Sequence, residues 1–558
     1  MKTCKSVFIV LAFLMYQSVK ISFILDHTTI SYDFITFRHK SKKMKYSIYI
    51  LSIAFLFIQC GNKQTTTPVT TEGANLGEIE FEVTGSEEST PYFHDGLLLL
   101  HSFEFEDAAE KFVEAQQIDS NFVMAYWGEA MSYNHPLWSE RYTEEGVAAL
   151  MKLADTPEER LVKAKTPLEK DLLQAVEILY AEGNKKEQDI DYKNHMENLH
   201  QKYPEHHEVA AFYALSLLGS SKSRKEDDHY ERGAKIVQGI IAENPQHPGA
   251  LHYLIHSYDD PGHASLALDA ANRYSKVAPD AGHALHMPSH IFVALGMWNE
   301  VIKSNIASYD ASVVRMKEKE LDSDARGYHA FKWLMYGYLQ KGNYEKAREM
   351  VYDMKKYCDE KPSSKARAHY IMMKADYLTE SGNWTDSIAN VNADLDELNL
   401  LVKGVQVYTQ GMSGYQNGNI SDLNIAINEL DSMKSKAESQ MVIGAPKMCS
   451  GVSSYMQPPS VNEVNSVKVL ECELQAMLAL HNKDEKTAEK WLLEATLMEE
   501  TTAFTYGPPN IVKPSFELYG EWLLGQDRKD EAKGQFEKVL ERAPKRRLAM
   551  KGMASVNS

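Results

Sequence analysis

The chain has 558 residues, of which 44% are hydrophobic and 25% charged, a balance typical of a folded globular protein. Its formal net charge of −18 repels the phosphates of nucleic acids, so nucleic-acid binding is not expected. The five cysteines form no CxxC pair, which argues against a disulfide framework and against a cysteine-ligated zinc site.

The start of the chain predicts export. The basic segment Lys40–Lys45 precedes the short apolar run Tyr46–Ile58, and Cys60 follows. This order resembles a bacterial lipoprotein signal, in which lipid is attached to the cysteine. Gln59 departs from the pattern, since such signals usually carry a small residue there. An uncleaved anchor or a plain secretory signal is therefore the alternative.

A lipoprotein signal at about residues 44–59 makes Met44 a plausible start, with the rest of residues 1–59 an upstream extension of the reading frame. Residues 60–90 then form a lipid-anchored tether, whose first part is rich in threonine and poor in apolar residues. We therefore expect the body of the protein outside the cytoplasm. It would lie on a membrane surface of a bacterial cell envelope, in the periplasm or at the outer membrane.

The body of the chain, residues 91–550, is predicted to be all-α. Apolar residues recur with a helical period, and large, small and aromatic residues follow one another as in tetratricopeptide hairpins. One hairpin cannot bury its apolar stripe alone, so we expect stacking into a superhelical solenoid with a concave groove. Residues 142–207 and 395–465 fit the repeat poorly and are predicted to be irregular insertions, and residues 551–558 a tail.

Four histidines occupy equivalent places on two successive hairpins. His252 and His256 are four residues apart, and so are His286 and His290. The second pair follows the first by 34 residues, the length of one tetratricopeptide hairpin. In this register both pairs lie on the stripe that lines the groove. Further groove candidates are His101, Glu129, His135, His329, Trp333, Tyr336, His369, Glu517 and Glu521.

The two histidine pairs predict a metal site. Stacked helices lie about 8–10 Å apart, so imidazoles of adjacent hairpins can meet around one ion. Zinc or another transition metal is the expected cofactor, because neutral imidazole is a good ligand for such ions. The segment His252–His256 lacks the glutamate of the HExxH metalloprotease motif. Pro288 favours a helix start that would leave His286 off the face of His290. A polar groove without metal and purely structural histidines are the other interpretations.

Five segments together resemble a family of bacterial exported tetratricopeptide proteins. They are Ala125–Trp138, His247–Pro261, Ala281–Trp298, Tyr328–Gln340 and Tyr506–Leu524. The resemblance implies a helical solenoid over about residues 90–550 and marks the histidine segments as family features. It carries no biochemical activity over to this chain.

Three functions are open at this point, and the sequence does not decide whether the protein is an enzyme. The first is a lipoprotein whose groove binds a protein partner, a peptide or a small molecule, with an acidic body that favours a cationic partner. The second is a metal-dependent hydrolase or oxidoreductase that uses the clustered histidines. The third is a glycan-capturing lipoprotein similar to the SusD type, although the characteristic segments of that family are absent.

Overall fold

The computed structural model describes residues 74–221, 228–439, 459–502 and 507–557. The predicted lipoprotein signal and Cys60 lie outside these residues. None of the helices in the described ranges combines the length and the hydropathy that crossing a membrane requires.

Helices account for nearly all the regular structure of the described residues. The first helices are α1 Thr90–His101, α2 Phe105–Ile118, α3 Val123–Ser132, α4 Thr143–Met151, α5 Pro157–Lys163, α6 Pro167–Leu179, α7 Lys185–Lys202, α8 His207–Ser220, α9 His229–Glu243, α10 Pro248–Ser257, α11 Leu268–Val277 and α12 Gly282–His286. The others are α13 Pro288–Ala294, α14 Trp298–Glu318, α15 Tyr328–Gln340, α16 Tyr344–Glu360, α17 Ser364–Ser381, α18 Leu400–Gln416, α19 Ile420–Glu438, α20 Val461–His481, α21 Glu485–Thr501, α22 Ser515–Gly525, α23 Lys529–Arg542 and α24 Arg547–Val556.

Consecutive helices pack against each other as hairpins, which confirms the predicted all-α, tetratricopeptide-like fold. The helices that open successive hairpins also contact one another, as α8 contacts α10, α15 contacts α17 and α18 contacts α20, and they form an inner layer. Residues 395–465 contain one such hairpin, α18 and α19, and residues 142–207 fold into helices α4 to α7 with their connections.

The turns inside three hairpins contain a residue in the left-handed backbone conformation. Gly296 and Gly342 follow the first helix of their hairpins with φ of 63° and 75°, a left-handed conformation that glycine adopts without strain. Phe103 occupies the equivalent place after α1 with φ of 56°. A side chain there costs about 1–2 kcal/mol. The phenyl ring is therefore held at this position against a backbone preference.

The first hairpin contacts helices that lie far ahead in the chain. Helix α1 packs against α10, and the Glu104 carboxylate accepts a hydrogen bond of 2.7 Å from the backbone N–H of His283. Arg315 of α14 donates to Asp107 of α2 at 2.9 Å. The hairpin of α1 and α2 therefore packs directly against α10, α12 and α14.

The last hairpin contacts the middle of the array in a similar way. The Trp298 indole N–H donates to the carbonyl of Lys545 at 3.1 Å, and Arg546 donates to the Tyr336 hydroxyl at 2.8 Å. Most residues of the stripe predicted to line the concave groove are buried, so in the described residues this stripe is an enclosed inner face.

The segment after α3, which contains the groove candidate His135, is not helical. Pro136 cannot donate a backbone hydrogen bond, and α3 ends at Ser132. Strands β1 Asn134–His135 and β2 Glu140–Arg141 pair antiparallel around a short 3-10 turn.

Candidate metal centre

Six histidines of the inner face form two neighbouring groups of three. In each group, one nitrogen of every imidazole lies within 4.8 Å of the others. We call them the first histidine group, His252, His256 and His283, and the second histidine group, His286, His290 and His329. Together they are the six-histidine centre. The sequence placed four of these residues around one ion, whereas the structure divides them between two groups and supplies a third imidazole to each.

Helix geometry positions the first group. His252 and His256 are one turn apart on α10 and project on the same side. Helix α10 begins with Pro248 at its first position, and the imidazole of His247 accepts the backbone N–H of Ala250 as a cap, at 3.2 Å. His283 comes from α12, the next short helix of the inner layer.

The nitrogens of the first group converge. Nδ1 of His252 lies 2.7 Å from the carbonyl oxygen of His101. A carbonyl only accepts, so this nitrogen carries the proton and Nε2 of His252 carries a lone pair. That lone pair faces Nε2 of His256 at 3.1 Å. Within the described part of the chain, His256 Nδ1 and His283 Nε2 are buried and have no hydrogen-bond partner.

In the second group, hydrogen-bond partners determine which ring nitrogens of His286 and His290 carry a proton. Asn305 donates its amide N–H to the carbonyl of Val301 at 2.8 Å, so its oxygen must face His286 Nδ1, 2.7 Å away. Nδ1 of His290 donates to the Asp259 carboxylate. Both Nδ1 atoms are therefore protonated, and two lone pairs on Nε2 of His286 and His290 face each other at 3.1 Å. Lone pairs that face each other in this way repel, and a cation between them would remove the repulsion.

Pro288 does not separate His286 from His290. Helix α12 ends at His286 and α13 begins at Pro288, as the sequence suggested, but Met287 between them has φ of −54° and ψ of −35°. This right-handed conformation continues the helical direction across the junction, and both imidazoles reach the same point.

The two groups adjoin each other and are enclosed by aromatic rings. The ring centroids of His256 and His290 are 5.8 Å apart, and those of His283 and His286 are 6.1 Å apart. On one side, the ring of Phe103 lies 4.3 Å from that of His252. On the other side, Trp333 lies 4.5 Å from His290 and 5.0 Å from His286, which places this predicted groove residue at the centre.

Burial favours the neutral form of five of the six imidazoles. It lowers the pKa of His286 to about 3. It also lowers the pKa well below its usual value in four others, whose neighbouring imidazoles add to the effect: His252, His256, His283 and His329. Neutral imidazole is the form that binds a metal ion.

A third buried group is a completed hydrogen-bond network. Nε2 of His101 and Nε2 of His247 lie 2.6 Å and 3.1 Å from the two oxygens of the Glu208 carboxylate. Nδ1 of His101 pairs with the Tyr253 hydroxyl at 2.9 Å, while Nδ1 of His247 serves as the cap of α10. Burial alone would raise the pKa of Glu208, but the two histidines hold it well below its usual value. His101 thus supports the first histidine group through its carbonyl.

Three other predicted groove residues lie in a charged cluster around Arg546, with Tyr336 and Glu517 buried and Glu521 exposed. The guanidinium donates to Glu517 at 2.7 and 3.0 Å and to the Tyr336 hydroxyl, and it pairs with Glu380. Lys513 donates to Glu517 at 2.9 Å and to the exposed Glu521 at 2.6 Å. Burial raises the pKa of Glu380 to about 7.

The remaining predicted residues belong to neither histidine group. Glu129 accepts a hydrogen bond from Gln116 and pairs with Lys152. The ring of His135 stacks on that of Phe105, with centroids 3.8 Å apart. Nδ1 of His369 donates to a carbonyl of the same helix, α17.

The sequence analysis did not single out His283, Asn305 or Glu208. His283 could have been found from its spacing, because it precedes His286 by three residues on one helix. Asn305 and Glu208 lie on other hairpins, and no local pattern connects them to the histidines.

A buried carboxyl of the inner face makes stability depend on pH. Burial raises the pKa of Glu473 from 4.5 to about 8. Because the folded pKa exceeds the unfolded one, the stabilisation is complete below about pH 4.5 and is lost as pH rises through 8. The free energy of unfolding should fall by up to about 1.4 kcal/mol per pH unit in this window. In urea unfolding measured at several pH values, the free energy of unfolding of Glu473→Gln should fall less steeply with pH than that of the wild type, because this one proton no longer contributes. Glu494→Gln, at an exposed position, should keep the wild-type dependence on pH.

The chain matches no family model and no curated protein. Similar solved structures include a monomeric IFIT1 mutant with Gppp-AAAA, at 13% identity over 80% of this chain and 85% of that chain, with a TM-score of 0.35. Yeast Tom70 matches at 11% identity over 84% and 88%, with a TM-score of 0.31, and Ypp1 at 10% over 84% and 85%, with a TM-score of 0.37. Likeness at this level carries no functional argument.

Proposed function

We propose that this protein is a metalloprotein whose six-histidine centre holds two transition-metal ions, one in each histidine group. The observation that carries the proposal is the second group, where the hydrogen bonds to Asn305 and Asp259 aim two lone pairs at each other across 3.1 Å. An ion bound by both nitrogens turns this repulsion into coordination.

A proton is the other cation that could lie between two imidazoles, and the arrangement favours a metal ion over it. A proton bridges two nitrogens, whereas each group brings three imidazoles together. In the first group, too, two Nε2 atoms, those of His252 and His256, lie 3.1 Å apart. This group also has buried ring nitrogens without hydrogen-bond partners in the described chain, on His256 and His283. Metal-bound histidines commonly donate their second N–H to a carbonyl, amide or carboxylate, as His252, His286 and His290 do here.

The burial of the centre bears on what it binds. The inner face is enclosed by α1, α10, α15 and the last hairpin, so an ion with a small ligand fits it better than an extended peptide. Three protein ligands leave a coordination position open, which is the arrangement of catalytic rather than structural metal sites. Metal-dependent chemistry on a small substrate is therefore the activity that the centre supports, and partner binding by the tetratricopeptide-like array is the second candidate.

The cellular location is proposed from the sequence alone. Lipid attachment at Cys60 would place the metal centre outside the cytoplasm, on the surface of a membrane of the cell envelope. Labelling of the full-length chain with a radioactive or clickable fatty acid, with Cys60→Ala as control, tests this part independently of the metal.

Metal analysis of the full-length chain tests the proposed function. The purified protein is stripped with a chelator, reloaded with Zn²⁺, desalted and measured by mass spectrometry. We expect about two zinc ions per chain for the wild type and about one for either His256→Ala or His290→Ala, because each change removes one ligand from one group.

His481→Ala is the matched control, since this histidine is exposed at the end of α20, and it should keep both ions. Circular dichroism spectra establish that each variant is folded. A wild-type chain that takes up no zinc would refute the proposal, and so would folded variants that both retain two tightly held ions.

A further inference from the structure

Two of the three imidazoles in the second histidine group are oriented by hydrogen bonds, and the third is not. Nδ1 of His286 bonds to Asn305, and Nδ1 of His290 bonds to Asp259. Among the described residues, the ring of His329 has no hydrogen-bond partner and contacts other aromatic rings instead. A metal-binding imidazole usually has an outer partner that fixes its orientation. For His329, that partner must act by packing.

The indole of Trp333 is in a position to do this. It lies one helical turn after His329 on α15, so both side chains project from the same face. Their ring centroids are 5.3 Å apart, with an angle of 45° between the ring planes. The indole also contacts the other two imidazoles of the group, at 4.5 Å from His290 and 5.0 Å from His286. A buried ring that contacts all three imidazoles limits the rotation of each one.

The backbone of Gly507 packs directly against this indole. A β-carbon added at Gly507 would lie 2.1 Å from Cζ2 of Trp333 and 2.6 Å from its Cη2, far closer than van der Waals contact allows. The connection that begins at Gly507 is anchored at its other end, where the backbone N–H of Ser515 donates to the Glu499 carboxylate at 2.6 Å. Because the connection is held there, a side chain at residue 507 would displace the indole.

Resting on the proposed two-ion function, we infer that Trp333 is a positioning residue for the ion of the second histidine group, and that Gly507 keeps its indole in place. The indole does not bind the ion. It holds the ring of His329 so that a third nitrogen stays close to those of the two hydrogen-bonded imidazoles. Loss of the outer support of a ligand typically lowers metal affinity about 10–100-fold, and we expect an effect of this size when the indole is lost or displaced. The ring contacts of Trp333 described above are all with the second group, so the first group should keep its affinity.

The test measures the Zn²⁺ affinity of the second group alone, in full-length chains that carry His256→Ala to disable the first group. Adding Trp333→Leu should weaken Zn²⁺ binding about 10–100-fold. Trp333→Phe keeps an aromatic ring and should recover most of this loss. Adding Gly507→Ala should weaken binding in the same range, because the new methyl group displaces the indole.

Gly418→Ala is the matched control for Gly507→Ala. Gly418 has φ of 76°, close to the 86° of Gly507, but the space around its added β-carbon is open. Alanine at either position brings similar backbone strain, and only at residue 507 does it also collide with a neighbour. Gly418→Ala should therefore leave Zn²⁺ affinity unchanged. With Co²⁺ in place of Zn²⁺, the visible absorption of the bound ion, which depends on ligand geometry, should change in Trp333→Leu and Gly507→Ala but not in Gly418→Ala.

The outcomes separate this inference from the proposed function. A wild-type chain that takes up no Zn²⁺ overturns both. When the wild type binds two ions, unchanged affinity in folded Trp333→Leu overturns the positioning role of the indole and leaves the metalloprotein. Unchanged affinity in folded Gly507→Ala overturns the part assigned to Gly507. An equal loss in Gly418→Ala does so as well, because the loss would then follow backbone strain rather than displacement of the indole. Circular dichroism establishes folding, and Trp333→Phe and Gly507→Ala decide the outcome where Trp333→Leu does not fold.

Discussion

Replacing Arg546 by methionine is expected to destabilise the protein by about 3–5 kcal/mol, one of the two largest effects we predict. The guanidinium is fully buried and contacts Glu517, Glu380 and Tyr336. Methionine fills much of its volume but leaves Glu380 without its cation and Glu517 with Lys513 alone. Chemical unfolding monitored by circular dichroism should show a large decrease in the denaturant concentration at the midpoint of the transition.

Arg528→Met is the matched control for this change. Arg528 also pairs with two carboxylates, Glu489 and Glu531, but at the surface of the protein, where such pairs contribute about 1 kcal/mol or less. Adding Glu380→Gln to Arg546→Met should restore part of the loss, because it removes the carboxylate that was left without its cation. Equal effects of Arg546→Met and Arg528→Met would contradict the assignment of a buried charge cluster.

The fold follows from the sequence because it is built from local repeats. A helical period and a hairpin length of 34 residues are properties of neighbouring residues, and they place both histidine pairs on one face of the inner layer. The enclosure of that face is different in kind. It depends on contacts such as Glu104 with His283 and Trp298 with Lys545, which join hairpins far apart in the chain, and no periodic pattern encodes them.

The candidate site was predictable to the same extent. His252, His256, His286 and His290 were found because they repeat in register, and His329 was assigned to the same face. The division into two groups depends on where α12 and α15 lie relative to α10, which is a tertiary property. The residues that fix the ring protons, Asp259 and Asn305, come from a loop and from the second helix of a hairpin, outside the stripe that the repeat register identifies.

Replacing Glu208 by alanine should lower the free energy of unfolding by roughly 2–6 kcal/mol, the second large effect that we expect. The ring N–H groups of His101 and His247 would lose their acceptor in a buried position, at about 1–3 kcal/mol each. The change should also reach the metal centre. The carbonyl of His101 orients His252, and loss of such support typically lowers metal affinity about 10–100-fold.

A matched variant makes this prediction specific to one histidine group. Asn305→Ala removes the acceptor of His286 and should weaken the second group by a similar factor while leaving the first unchanged. Zinc titration should therefore give one tight and one weakened site in both Glu208→Ala and Asn305→Ala. Adding His256→Ala, which disables the first group, should eliminate the weak site in the Glu208 variant and the tight site in the Asn305 variant. Equal weakening of both sites by either change would mean that the six imidazoles act as one unit, since separate ions would each depend on the residues that orient their own ligands.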